Sequence, residues 1–482
     1  MKQRRFFEPG TVGCWQRGLG ARRRGAMVIL LALSMAWVFG GVMAKADWPT
    51  YMADPARSGV STEGLQPGTV REVWSYRSKN APRPAWGEEA KADLYNRVFE
   101  LRQRQRFDYV PDVAVVSNRV CFGSSSDDKV RCLDAGTGKE VWSVFAEGPV
   151  RLCPTIDGGF VYFGSDDGCL SCVRLADGRM QWRTRLGPRD YRIPGNGRVI
   201  SAWPVRSGIV VRDRTVYCAA GMFPSEGVYI CAVDAEKGEV RWKTEQKDLP
   251  AQGYMLASDT RLYVPAGRNN PVVLDRATGK RVRVVDGSGG TYALLAGDTL
   301  VFGPGKTGQL GLVPAESSDQ LATFQGNHMI VTADRSYLQS DQELSALDRP
   351  RYLELAGKRR QAMVEQGKLT KQMDKSATTA EQKQELKTKL AEVGRELDRL
   401  TREMAACTLW KRPCGHPRAL VLAGAILVAG GDSQVAGYDI KAGEPVWQAA
   451  TDGSVGGLAV AGGAIYASTE RGTIHCLRPS AP

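Results

Sequence analysis

Three histidines, His328, His416 and His475, supply all the imidazole in 482 residues. That leaves few groups suited to acid–base catalysis near neutral pH. Cysteine is more plentiful, with eleven. Cys169 and Cys172 form a C-x-x-C, but residues three apart on a strand face opposite sides. Val173 follows where c-type haem attachment needs histidine. Cys407, Cys414 and His416 offer three metal ligands around a short strand, one fewer than a closed zinc site takes. Cys218 with Cys231 and Cys121 with Cys132 flank hairpins and are candidate disulfides in an oxidising compartment. GPGKTG at 303–308 resembles the end of a phosphate loop, but Leu300 stands where the first glycine belongs, and no helical pattern follows. It reads as a turn. No catalytic, cofactor-binding or metal residue is assigned on these patterns. One stretch outside any repeat, RIPGNGRVISAWPVRSG at 192–208, combines a rigid Pro-Gly-Asn-Gly turn with basic and aromatic side chains. Its Asn196, Arg198, Trp203 and Arg206 form a candidate ligand rim, since long loops of repeat folds line one face and carry binding.

The elements that would carry such a rim come from a phrase that recurs: Asp, three residues, Gly, three residues, Trp. It reads LDAGTGKEVW at 133–142, VDAEKGEVRW at 233–242 and YDIKAGEPVW at 438–447. In VRLADGRMQW, Arg174 takes the Asp position; in LDRATGKRVR, Arg283 takes the Trp position. Each phrase closes a unit of short alternating strands joined by polar turns, the composition of a propeller blade. Asp caps a tight turn, Gly permits positive φ, and the ring opens a fourth strand. Trp74, Trp142, Trp182, Trp242, Trp410 and Trp447 are expected to dock neighbouring blades. Cys132, Cys172 and Cys476 share a third-strand slot with Ala232 and Ala346, which asks for a small buried side chain. Arg283 and Phe324 continue the spacing, giving an all-β, eight-bladed β-propeller, or seven if the unit at 291–324 is irregular. The final unit has three strands, and REVWSYR with Trp74 supplies the fourth from near the other terminus, which removes an exposed edge.

Two insertions interrupt the repeat. The first predicts a helix from Glu88 to about Arg106, with Leu94, Val98 and Leu101 on one face. The second, 350–405 in the sixth blade, spaces Leu386, Leu390, Val393, Leu397, Leu400 and Met404 as a heptad seam. An earlier helix supplies Leu355, Ala362, Leu369 and Met373. Thr378-x-x-Glu381 reads as the capping box that starts the second arm. The prediction is an inserted antiparallel coiled-coil hairpin, serving as decoration or as a docking and dimerisation arm. Residues 1–46 read as a signal peptide or membrane anchor: a basic flank, an apolar run at 26–44, and Ala44-Lys45-Ala46 as a cleavage site. The propeller at 47–482 would then be extracytoplasmic, in the periplasm or cell envelope. No cysteine stands beside the cleavage site, so lipid attachment there is not expected. Eight Lys/Arg and one Glu lie in 1–46, so the formal charge of +13 falls to +6 beyond it. Nucleic acid is not an expected partner.

The phrase, with its Ala-Leu-Asp-like third strands, resembles the pyrroloquinoline-quinone-type propeller repeat. That repeat is shared by quinoprotein dehydrogenases and the propeller subunit of the outer-membrane protein assembly machinery. Asp47-Trp48-Pro49-Thr50-Tyr51 through Arg57-Ser58-Gly59 is similar to the start of many exported bacterial propellers of this kind. The dehydrogenases of the family carry adjacent cysteines over their quinone, and this chain has none. The resemblance therefore implies a non-catalytic binding or scaffold module for a protein or an envelope polymer, with no cofactor. The alternatives it leaves are an oxidoreductase using pyrroloquinoline quinone and calcium, and a scaffold or sensor tethered through 26–44 and oligomerising through the hairpin.

Overall fold

The computed structural model describes residues 47–85, 98, 106–267, 269–286, 292–297, 299–305, 308–314, 320–374 and 379–480. The expected targeting segment at 1–46, Thr378, and nearly all of the helix expected at 88–106 lie outside these residues. Within them the chain forms eight four-stranded antiparallel blades, seven of them from four consecutive strands, which is the eight-bladed propeller. Blade 1 runs Val113–Val116, Arg119–Ser124, Lys129–Asp134 and Glu140–Phe145. The weak unit is a regular fifth blade ending at Ala322–Gln325, so the count is eight rather than seven. In blade 8, Val70–Arg77 pairs with Thr473–Pro479 as the fourth strand and closes the ring.

One row of side chains explains much of the repeat. On the fourth strand each Trp stands opposite the small third-strand slot: Trp142 opposite Cys132, Trp182 opposite Cys172, Trp242 opposite Ala232, Trp410 opposite Ala346 and Trp74 opposite Cys476. Tyr162, Tyr217, Tyr337 and Tyr466 extend the row onto the second strand, with ring centroids 6.0–6.3 Å from the indoles. A larger third-strand residue would collide with the ring; at Gly437 an added Cβ would fall 2.2 Å from Trp447.

The phrase also joins blades, because its Gly serves the Trp of the blade before. Trp74, Trp142, Trp182, Trp242 and Trp410 donate their indole N–H across the blade boundary to Ala135, Leu175, Ala235, Arg276 and Ile440 carbonyls at 2.8–3.1 Å. Each acceptor follows the Asp position of the next blade's turn. That turn's Gly, at φ 69–73°, lies flat on the indole, where a Cβ would come within 2.5–2.8 Å. Burying a large ring while satisfying its one donor is the favourable arrangement for Trp. Trp447 faces blade 8, which has no such turn, and its buried Nε1 has no partner among the described residues.

The fifth-to-sixth boundary departs from this pattern. Asp348 holds the Asp position of blade 6, yet instead of a turn it caps α1 (Arg349–Met373), accepting from Arg351 N at 3.1 Å. The chain returns through α2 (Ala380–Ala405) to the fourth strand, Thr408–Pro413. The two helices pack on one another as the predicted hairpin, with Leu355 and Leu369 of α1 and Leu400 of α2 buried. The capping box is Thr379 with Gln382 rather than Thr378 with Glu381. Both pairs satisfy the spacing, and the extended backbone at Thr379 decides between them.

Candidate functional site

The first strands of the blades surround the axis, and 47–65 of the chain crosses one end of it as a strap. Trp48 exchanges backbone hydrogen bonds with Val115 of blade 1. The carbonyls of Pro49, Pro55, Ala56 and Gly59 accept from Ile156, Ala257, Leu295 and Leu422 of blades 2, 4, 5 and 7 at 2.8–3.0 Å. Val60–Ser61 then adds as a parallel strand inside blade 7. Arg57, fully buried, donates to Met255 O, Ile209 O, Tyr51 O and Thr50 Oγ1 at 2.7–3.0 Å. Burial pulls its pKa down. The Trp-Pro-Thr-Tyr and Arg-Ser-Gly residues that resemble the start of exported propellers are therefore the seal on the axis.

From the strap, Tyr51 reaches inward and stacks on Tyr254, with centroids 3.7 Å apart and planes 8° apart; Phe107 stands edge-on to both. The Tyr254 hydroxyl accepts from Cys153 N at 2.8 Å and is hydrogen-bonded to Asp112. Burial pushes the Asp112 carboxyl well above the usual carboxylate range, favouring the protonated acid. Burial likewise raises Tyr51 and Tyr254.

Where the first strands begin, the structure places the sequence-predicted rim. Arg192–Gly195 and Arg198–Ser201 form a hairpin that spans blades 1 to 3. Arg206 grips Asp166 through Nε and Nη2 at 2.6 and 2.7 Å, and donates to Asn196 Oδ1 at 3.0 Å. Asn196 also donates to Ala85 O. Arg198 forks onto both Asp128 oxygens and donates to Ser126 O at 2.7 Å. Trp203 is core, its Nε1 donating to Glu226 O at 2.8 Å. Asn196 and Arg206 thus come together, Arg198 is bolted to a turn of blade 1, and Trp203 packs beneath. The geometry is that of a blade-spanning brace.

The centre of the brace has no motif of its own in the sequence. Asp166, with no exposed surface, also accepts from Arg151 Nε at 2.7 Å; Arg151 reaches Asp108 at 3.3 Å and Arg83 O at 2.7 Å. Two guanidinium groups and two carboxylates balance, which a buried ionic cluster requires. Burial raises the Asp108 carboxyl even though Ala85 N and Arg151 oppose the shift. The Ser-Asp-Asp-Gly turn at 165–168 is the one local signal, and only folding brings Arg151 and Arg206 to it.

All ten cysteines among the described residues are buried thiols. Cys121 stands opposite Cys132, and Cys218 opposite Cys231, in direct register. Burial pushes the Cys121 and Cys218 thiols well up. Cys407 packs with Leu355 and Leu400 at the hairpin base, whereas Cys414 lies in the main core. Cys414 and His416 do come together, Sγ to Nδ1 at 4.0 Å, both meeting Tyr438 Oη, at 3.5 and 2.7 Å. Among the described residues no three metal-ligating side chains converge.

A sizeable cavity lies elsewhere. A cleft of about 890 Å³ opens between blades 5 and 6 beneath the helical hairpin. There Phe324 replaces Trp, packing 5.1 Å from Tyr352 of α1.

Fold, repeat and blade-to-blade docking define a β-propeller of the pyrroloquinoline-quinone type. The sequence profile described as "Outer membrane protein assembly factor BamB" matches residues 64–202, 167–325 and 378–481. The chain belongs to that family. Structurally it resembles BamB from Moraxella catarrhalis, at 16% identity and TM-score 0.53 over 85% of this chain and all of the other. It also resembles quinohemoprotein alcohol dehydrogenase ADHIIG from Pseudomonas putida HK5, at 12% identity and TM-score 0.57 over 90% and 81% of the two chains. Among curated proteins it is 27% identical over 143 residues to the dehydrogenase subunit of the quinone alcohol dehydrogenase of Gluconobacter oxydans (strain 621H). It is 30% identical over 81 residues to outer membrane protein assembly factor BamB of Escherichia coli (strain K12). The matched stretches are 27% and 15% of this chain, and span 18% and 21% of those two relatives.

Proposed function

We propose that the protein is a non-catalytic, extracytoplasmic propeller that binds another protein or an envelope polymer. The observation that carries this reading is the axis. The strap bonds to the inner strands of five blades, and Tyr51 lies flat on Tyr254 there. A planar quinone needs an open slot between its walls and polar groups free to meet its edge. Here the facing rings stack on each other, and Arg57 is spent on protein oxygens. The residues present do not fit the quinone. Binding is left to the rims and the outer grooves. A relative named as an outer membrane protein assembly factor agrees with this reading.

Native mass spectrometry of the protein purified from its own envelope and soluble fractions tests it. The expected result is a chain beginning near Asp47, free of quinone and calcium, with a protein or polymer co-purifying. A bound quinone with calcium would overturn the proposal and make the protein an oxidoreductase. Retention of 1–46 would make it a tethered scaffold.

A further inference from the structure

We infer that Cys121 and Cys132 close as a disulfide across the second and third strands of blade 1, whereas Cys218 and Cys231 stay thiols. The supply of a disulfide-bearing oxidant rests on the extracytoplasmic reading; the choice between the two pairs rests on strand register.

Both pairs stand directly opposite one another in antiparallel ladders, yet their positions differ. In blade 1, Ala135 N donates to Asn118 O at 3.2 Å, which makes that pair a hydrogen-bonded one. Alternation along the ladder then makes 120–133 hydrogen-bonded and 121–132 not. The next ladder agrees. Ala146 N donates to Asp128 O at 2.8 Å, so Cys132 turns its backbone groups toward Trp142 and away from Cys121. In blade 3, Ala235 N donates to Arg214 O at 3.1 Å, and the same count makes 218–231 a hydrogen-bonded pair. Opposed Cβ atoms lie about 4.5 Å apart at non-hydrogen-bonded positions and about 5.5 Å at the others. A disulfide takes about 3.5–4.5 Å. Only the blade 1 pair is within reach of a bond.

The side chains point the same way. The Cys121 thiol is hydrogen-bonded to Cys132, whereas Cys231 Sγ donates to Tyr229 O at 3.7 Å. Cys121 also stands where blades 2, 3, 6 and 8 carry Tyr162, Tyr217, Tyr337 and Tyr466. In those blades a ring covers the small third-strand slot; in blade 1 a second thiol faces it.

Both side chains are fully buried in the finished blade, where the Cys121 thiol is held protonated and unreactive. The bond is therefore made as the chain folds. A single turn, 125–128, joins the two strands, so the hairpin brings the thiols together before neighbouring blades cover them. One thiolate attacks the oxidant's disulfide, and a mixed disulfide forms as one oxidant thiol leaves. The second thiolate attacks the protein sulfur of that mixed disulfide, forming the Cys121–Cys132 bond and releasing the second oxidant thiol. Two electrons and two protons thus pass to the oxidant. The link staples the hairpin on which the ring closes: Ala135 O accepts from Trp74 of the closing strand at 3.0 Å.

The full chain, reduced and unfolded in urea, is refolded in mixed reduced and oxidised glutathione, alkylated in denaturant and digested with trypsin. Peptides 120–129 and 132–139 are expected to be joined, with Cys218 and Cys231 both alkylated within 215–237. The linked protein should melt a few degrees above the reduced one, and Cys121→Ser should melt alike in either buffer. If that variant does not fold, the wild-type peptide map decides alone. Free thiols at 121 and 132 after refolding, or an equal yield of a 218–231 link, overturns the inference. A link that forms in glutathione but is missing from protein taken from its own cells leaves the pairing standing and removes the extracytoplasmic reading.

Discussion

At the scale of single residues, the turn Gly and the preceding blade's Trp act as a pair, although the recurring phrase places them in different units. Gly238 sits at φ 73° with Trp182 2.6 Å from where a Cβ would be, whereas Gly158, at φ 57°, has nothing within 4 Å. Both substitutions to Ala carry the left-handed backbone penalty, so their difference isolates the collision. Gly238→Ala should cost about 1–3 kcal/mol more than Gly158→Ala in urea unfolding, the usual range for overpacking. Burial lowers the pKa of His328 to about 4 from an ordinary value of 6.5. Between those values the unfolded chain holds a proton that the folded chain does not, so stability rises with pH across the window and falls on acidification. The loss from pH 6.5 to 4 should approach roughly 3 kcal/mol for this group. Asp108 and Asp112, with raised pKa values, push the other way. The informative measurement is therefore the difference in urea midpoint between wild type and His328→Gln: the variant should show the flatter acid limb.

At the scale of elements, the hairpin was legible because leucines spaced three and four apart line one face of a helix and match no strand. Its junction was less so. Asp348 looks like every other turn aspartate in the repeat, and only the proline-containing run after it starts a helix instead. The cap of α2 falls one residue beyond the expected Thr378 because two overlapping pairs fit the same spacing. Thr379→Ala should remove the bond that the Thr379 hydroxyl accepts from Gln382 N, leave the one its own backbone N–H gives Gln382, and cost about 1 kcal/mol locally. Hydrogen exchange should quicken in the first turn of α2 while the global urea midpoint holds, since no residue of that turn is buried.

At the scale of the molecule, closure is achieved twice, by Val70–Arg77 completing blade 8 and by the strap across the axis. Arg57 is the strap's strongest tie, joining blades 3 and 4 through two main-chain carbonyls. Arg57→Ala would leave several buried acceptors unsatisfied at about 1–3 kcal/mol each. The expected outcome is a loss of about 3 kcal/mol or more, read as a lower melting temperature. A drop below about 1 kcal/mol would mean that the strap is an ornament rather than a seal.

The blade count, the ring closure and the helical hairpin follow from the sequence because each rests on local periodicity and on residue size at fixed spacing. Repeating units announce themselves many times over, and an error in one copy is corrected by the others. The brace around Asp166, the strap's course across the axis and the cleft beneath the hairpin were decided by tertiary structure alone. Each depends on groups far apart in the chain: Arg151 and Arg206 on Asp166, Arg57 on Ile209 and Met255, Phe324 on Tyr352. No local pattern records which charges will be buried together or which boundary will be left open, because burial belongs to the assembled ring rather than to any one blade.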